Sequence, residues 1–290
     1  MDRREFLKKS GLAAAMAAMG RAAAARGAAA PDKGMPRIRL GNVEVSRLIL
    51  GSNPFWGYSH RNPALDEEMK RFYTDERIIA VLDEAAACGI TTVTAPPEPR
   101  WISLWTKYRE GGGKLTIWIA QCHDAPEKMD AEIVRAIKGG AQAVFIQGGR
   151  AEEQFGKGNF ETLRAWIDKI KDAGLPAGCA AHWPEVHPEL QKRKFPADFY
   201  YQCFYNVSKG ATFREEERAK AIETIRQIEK PVIAYKILAA GRLPAEQGFE
   251  FAFNHIRRKD GVCVGIFIRD GADQIRQNTT LTEALSALRA

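Results

Sequence analysis

From residue 47 onward the chain alternates eight times between a short β-branched or aliphatic run and an amphipathic stretch, an order few folds accept. The runs are RLILG (47–51), ITTVTA (90–95), LTIWIAQC (115–122), AVFIQ (143–147), PAGCAA (176–181), DFYYQCF (198–204), VIAYK (232–236) and VCVGIFI (262–268). Between them apolar residues recur at spacings of three and four, as in Ile78, Ile79, Leu82, Ala86 and in Leu163, Trp166, Ile167, Ile170. Asp124 with Glu127 and Thr212 with Glu215 match the capping-box spacing, and Gly89 and Gly174 stand where helices should stop. Eight β-then-α units predict a closed parallel (βα)8 TIM barrel, and residues 31–290 suffice for one. An open doubly wound sheet is the alternative, but no G-x-G-x-x-G follows the first run.

Residues 1–30 are set apart from this pattern. They carry a charged head, an Ala-rich centre and small residues before Pro31, the layout of an export signal. Arg3 and Arg4 followed by Glu5, Phe6, Leu7 and Lys8 resemble the twin-arginine signature, which implies the twin-arginine export machinery as a partner and a periplasmic or otherwise exported protein. The signal also carries much of the positive charge, since residues 31–290 hold 37 basic and 34 acidic residues, a net +3 against +7 for the whole chain. No Lys/Arg stripe interleaved with aromatics speaks for nucleic acid, and no apolar run approaches a membrane span. Cys88, Cys122, Cys179, Cys203 and Cys263 occur singly, mostly in apolar runs, and read as core residues rather than a disulfide framework.

Barrel enzymes of this kind work at the C-terminal ends of the strands. The polar residues expected there are Asn53, Glu98, His123, Gln147, His182, Gln202, Lys236 and Arg269. The first connection, residues 52–73, is long enough for a binding loop, and Phe55, Trp56, Tyr58, Phe72 and Tyr73 give it aromatic faces. Those faces either wall a ligand, with Trp56 and Tyr58 touching it, or pack over the barrel mouth as a plug.

The stretches RLGNVEVSRLILGSNPFWG, YQCFYN (201–206), VIAYKILAAGRL (232–243) and GIFIRDGADQIRQNTTL resemble the opening and the sixth, seventh and eighth strands of the aldo/keto reductases. The resemblance implies that family's barrel and an NADP cofactor, with Gln202 on the nicotinamide amide, His182 near the matching Asn, and Arg269 at the phosphate turn. It also implies a tetrad of Tyr, Asp, Lys and His that this sequence does not supply. The second run ends VTAPPEPRW, the third has Gln121 or Cys122 at the Lys position, and the fourth has Gln147 at the His position. Lys236 replaces a small Ser where the cofactor's diphosphate would pass.

His123 and His182 end alternate strands, close enough for inward imidazoles to converge. With Glu98 or Glu185 they either hold a divalent metal ion, act as an acid–base pair, or make structural hydrogen bonds. The run HWPEVH (182–187) adds His187. Lys236 reads as a Schiff-base nucleophile, an electrostatic clamp for an oxyanion or carboxylate, or a surface lysine; burial at a barrel mouth lowers its pKa, and its place inside a strand-like run favours a clamp or a general base. The set Lys236, His123 and His182, with Asn53, Trp56, Tyr58, Glu98, Gln147, Gln202 and Arg269 as substrate contacts, predicts proton abstraction beside a carbonyl of a carbohydrate-like small molecule: epimerase, isomerase or lyase chemistry. The alternatives are a divergent NADP-dependent oxidoreductase and a barrel that binds without catalysis.

Overall fold

The computed structural model describes residues 34–206, 214–270 and 273–288. The export-signal reading of residues 1–30 and the Thr212 half of one capping box lie outside them. Ten strands are present among the described residues. Arg37–Leu40 (β1) and Val43–Ser46 (β2) form an antiparallel hairpin. The remaining eight are Leu48–Gly51 (β3), Thr92–Ala95 (β4), Ile117–Cys122 (β5), Ala143–Ile146 (β6), Ala177–Ala181 (β7), Phe199–Cys203 (β8), Val232–Tyr235 (β9) and Gly261–Gly265 (β10). They close a parallel barrel in the order β10-β3-β4-β5-β6-β7-β8-β9, each strand beside its neighbour in sequence. All eight predicted runs are strands. The last ends at Gly265 rather than at residue 268, because Ile268–Asp270 enters a 3-10 turn.

The strands are buried on both faces, as expected when helices cover the outside of a parallel sheet. Alternation sorts their residues. Ile49, Ile119, Ala143, Phe145, Ala180, Phe199, Tyr201 and Ile233 fill the interior, while residues such as Val93, Trp118, Val144 and Tyr200 pack outward on the helices. Ile38, Leu40 and Val45 of the hairpin join the interior cluster, and Ile38 reaches Gly261 and Ile233 at the N-terminal end of the barrel. That end is therefore plugged by apolar side chains, and the opposite end is left for chemistry.

Among the described residues nine α-helices connect the barrel strands, and a tenth, Gln274–Ala287, follows the last one. Those that bear on the site are Pro63–Phe72 (α1), Asp75–Ala87 (α2), Pro99–Glu110 (α3), Pro126–Lys138 (α4), Gly148–Gly156 (α5), Phe160–Asp172 (α6) and Val186–Lys192 (α7). Gly89 and Gly174 follow α2 and α6 at φ of 80° and 77°, the left-handed stop expected of them. The Asp124 and Glu127 capping box does not form. Pro126 opens α4, Ala125 precedes it with no side-chain cap, and Asp124 instead accepts from Arg135.

The first connection is not an open lid. It holds a 3-10 turn at Asn53–Trp56 and then α1, capped by Asn62, whose side chain accepts from Leu65 N–H. Phe55, Phe72, Tyr73 and Phe267 pack edge-on at centroid distances of 4.8–5.3 Å, and the Tyr73 hydroxyl donates to Ile266 O at 2.5 Å. These aromatics fasten the loop to the barrel. Tyr58 alone of the five predicted aromatics lines the mouth, and it is exposed.

All five cysteines are free, as their placement in apolar runs predicts. No helix among the described residues is long and apolar enough to cross a membrane. His187, on α7, is fully buried and holds Tyr201 O at 3.0 Å through Nε2, and burial lowers its pKa to about 4. The unfolded chain therefore takes up this proton between about pH 6.5 and 4 while the folded chain does not, so folding stability falls on acidification through that window. Chemical denaturation should show the wild type losing about 2 kcal/mol more than His187→Gln between pH 7 and pH 5 from this group alone.

Candidate active site

A cavity of about 750 Å³ opens where the strands end. Its floor is the interior stack of Phe145 on Tyr201, with ring centroids 4.2 Å apart, and Tyr201 is tied to Thr94 Oγ1 at 2.8 Å. Above this floor the wall becomes polar. Asn53, Tyr58, His123, Gln147, His182 and Lys236 all line it, as read from the sequence.

The two histidines are positioned by the same device. His123 follows β5, and Glu132 of α4, fully buried, accepts from the backbone N–H of His123 and Asp124 at 2.7 and 2.6 Å. The other Glu132 oxygen lies 3.1 Å from His123 Nδ1, an ionic contact too oblique for a good hydrogen bond. His182 follows β7, and Glu152 of α5 accepts from the backbone N–H of His182 and of Trp183, the latter at 2.8 Å, while its second oxygen lies 3.2 Å from His182 Nδ1. In each case a buried carboxylate holds the strand end through backbone N–H groups and lies beside Nδ1 of the ring, which leaves Nε2 turned away from it. The Glu132 contact raises the His123 pKa against the opposing effect of burial, with Glu98 and Asp124 adding to it. Burial pushes the Glu152 carboxyl up, but the hydrogen bond and charge of His182 and the two backbone donors prevail, so its pKa falls.

Lys236 reaches the cavity by a break in the strand pattern. Tyr235, the last residue of β9, already faces inward, so strict alternation would turn Lys236 out toward the helices. Its φ of 56° lies in the left-handed region, which costs a side-chain-bearing residue about 1–2 kcal/mol. Ala239, Ala240 and Gly241 repeat that conformation at 48°, 56° and 72°, and the turn is closed by Ala239 N–H on Lys236 O at 2.8 Å. Strained backbone of this kind gathers at functional sites. Desolvation lowers the Lys236 pKa, and Arg242 adds to the effect.

Residues that sequence reasoning passed over complete the wall. His60 also has positive φ, at 56°; its Nε2 is 3.1 Å from Asn53 Nδ2, and its pKa falls to about 4 through burial and the nearby charges of Lys236 and His182. Tyr235 donates to Ala181 O at 3.2 Å and lies edge-on to His182 at 5.7 Å. Gly148 keeps this corner open, since a Cβ there would sit 3.0 Å from the His182 ring. Nothing in the sequence separates Glu132 and Glu152 from surface glutamates, whereas the polar tetrapeptide Ser59–Asn62 inside an aromatic loop was a usable signal for His60.

Four predicted contacts fall elsewhere. Gln202 has the outward parity of Tyr200, is buried in the helix layer, and donates to Cys203 O at 3.2 Å. Arg269 pairs with Glu68 and covers the Phe267 ring. Trp56 donates to Ser52 Oγ at 3.3 Å beneath Arg100. Glu98 stands beyond the wall, 3.6 Å from His123 Nε2. Among the described residues no three His, Cys, Asp or Glu side chains are grouped so as to hold a metal ion. His123, His182 and Glu98 do not form the predicted metal set, because each imidazole is turned to its own glutamate. The positions read for a nicotinamide cofactor likewise do not assemble, since Gln202 and Arg269 are both engaged away from the cavity.

No family model matches the chain, and no curated protein matches it in sequence. Its architecture is that of the aldo-keto reductase barrels. A proposed aldo-keto reductase from Pseudomonas aeruginosa superposes with a TM-score of 0.61 at 18% identity, over 86% of this chain and 95% of that one. A second structure of a proposed aldo-keto reductase from Pseudomonas aeruginosa gives 0.60 at 16% identity, over 88% and 95%. At these identities the likeness is one of fold.

Proposed function

We propose that the barrel mouth is the active site of an exported enzyme that moves protons beside a carbonyl of a keto-sugar or sugar-like acid, without net redox change. The observation that carries this reading is the placing of Lys236 in the cavity near His60 and His182, where desolvation favours its neutral amine. A neutral amine is a general base, and His182, oriented by Glu152, is placed to donate to an oxygen that gains charge. Asn53 and Gln147, which line the mouth after β3 and β6, are suited to substrate hydroxyls. The wall at the ends of β4, β5 and β6 presents Pro96, Gln121 and Gln147, which supports a departure from the tetrad of the carbonyl-reducing barrels. Export rests on the twin-arginine pattern at Arg3 and Arg4.

Incubating the chain from Pro31 onward with a panel of keto-sugars and sugar acids should give turnover that is lost in Lys236→Met and in His182→Gln. Panel turnover indifferent to both substitutions contradicts the proposal. Turnover that appears only with added NADPH would favour the redox alternative.

A further inference from the structure

The charged side chains of the cavity wall are all of one sign. Arg61, Lys236 and the imidazoles of His60, His123 and His182 line it, and among the described residues no aspartate or glutamate does. The carboxylates whose charges reach His60 or Lys236 are Asp66, Glu152 and Glu217, and each is engaged outside that lining. Asp66 accepts from the backbone N–H and the hydroxyl of Ser59 at 3.0 and 2.5 Å, Glu152 from His182 and Trp183, and Glu217 from Asn206 N–H at 2.7 Å. The cations gather where the loop after β3 meets the turn after β9, and two arginines lace these segments in opposite directions. Arg61 donates from the loop to Gly241 O at 3.0 Å, and Arg242 donates from the turn to His60 O at 3.3 Å and to Ala239 O at 3.0 Å. Burial lowers the His60 pKa, and Lys236, His182 and Arg242 add to it; burial lowers that of Arg242, and Arg61 adds to it.

Like charges gathered at a partly desolvated rim repel one another, a cost that a bound anion removes. The guanidiniums of Arg61 and Arg242 bond only backbone carbonyls, whereas Arg100, Arg135, Arg150 and Arg193 each face an aspartate or glutamate within 3.2 Å. Arg61 commits a single guanidinium nitrogen in this way, which leaves the rest of its planar fork to match a carboxylate. We infer that this corner is an anion subsite and that the substrate is a sugar acid, whose carboxylate Arg61 holds at the lip of the cavity. The inference rests on the acid–base reading of the cavity and narrows its substrate to the charged class. Arg61 is the binding group, since it lines the cavity. Arg242 does not line it, and acts by fastening the His60 loop to the turn and by adding charge. The left-handed residues Ala239 and Gly241 offer their carbonyls to the two guanidiniums, so the turn that carries Lys236 also seats the anion-binding pair. Arg61 is exposed, so salt screens its attraction for the carboxylate.

The test pairs each acid with a neutral counterpart: D-glucuronate with D-glucose, D-galacturonate with D-galactose, and 2-keto-D-gluconate with D-fructose. Binding is read by saturation-transfer NMR titration at low and at high NaCl, and turnover separately by deuterium entering beside the carbonyl in D2O. At low salt the wild type should bind at least one acid about 10-fold more tightly than its counterpart, the scale of a hydrogen bond to a charged group, and high salt should shrink the preference. Arg61→Gln should bring the acid down to the level of the neutral sugar, and Arg61→Lys, which keeps the charge without the fork, should retain part of the preference. Matching circular dichroism melts exclude unfolding as the cause. Equal affinity for acids and neutral sugars, no binding of any acid, or a preference that Arg61→Gln leaves intact would overturn the subsite. Lys236-dependent turnover of D-fructose alongside any of these results would leave the acid–base reading standing. Acids bound through Arg61 but never turned over would support the subsite and contradict that reading. NADP binding that Arg61→Gln abolishes and no acid displaces would overturn the inference by giving these cations to a cofactor.

Discussion

Lys236→Ala is expected to lower turnover by at least about 10³-fold in a protein that still folds, because general-base removal alone typically costs about 10²–10⁴. Two features of the wild-type residue offset part of what its truncation costs in stability. The wild-type side chain keeps an ammonium out of bulk water, which is why its pKa is lowered, and its backbone sits at a φ of 56° that a Cβ disfavours. Lys236→Gly removes both burdens and should exceed Lys236→Ala in stability by about 1 kcal/mol. The pH dependence follows with its sign. A lysine whose folded pKa lies below its unfolded value binds its proton more weakly in the fold, so stability rises as pH climbs through the folded pKa toward 10.5. That rise should vanish in Lys236→Ala. Thermal melts of the three proteins from pH 7 to 10.5, alongside turnover at pH 8, check the whole set.

Glu152→Ala should produce the second large effect, on stability and activity together. Removing the carboxylate orphans the backbone donors of His182 and Trp183 and releases the His182 ring. The expected loss is about 3 kcal/mol, at the upper end of the cost of unpaired buried donors. Glu152→Gln retains an oxygen for the two N–H groups but sets an amide against Nδ1, so it should keep most of the stability and still lose at least about 10²-fold in activity. The glutamine variant separates the two roles. A protein equally damaged by both substitutions would show that Glu152 serves the fold alone, and denaturant melts paired with kcat and KM decide the point.

The contrast between these two residues also marks what a sequence can reveal. The barrel was legible because each strand is a continuous apolar run between amphipathic helices, and the order of the runs is the order of the staves. His123, His182 and Lys236 were legible because a polar residue ending an apolar run is anomalous. Gln202 met the same criterion and failed, since it sits one residue after inward-facing Tyr201 and alternation sends it outward. Lys236 stands one residue after inward-facing Tyr235 and escapes that rule only through its left-handed backbone. No local pattern announced that turn beyond the Ala-Ala-Gly that follows. Glu132, Glu152 and His60 act across 9, 30 and 7 residues of sequence, through helix packing and loop closure rather than spacing. The aromatic loop was read from composition, which could not show that Phe55, Phe72 and Tyr73 would meet Phe267 instead of a ligand.

The central claim is that Lys236 is a desolvated base in the barrel mouth, and its own titration tests that without any substrate. With lysines labelled at Cε and the Lys236 signal assigned by its absence from Lys236→Met, NMR titration should place its midpoint clearly below that of the exposed lysines, which titrate near the ordinary value of about 10.4. A Lys236 midpoint coincident with the exposed lysines would contradict the account.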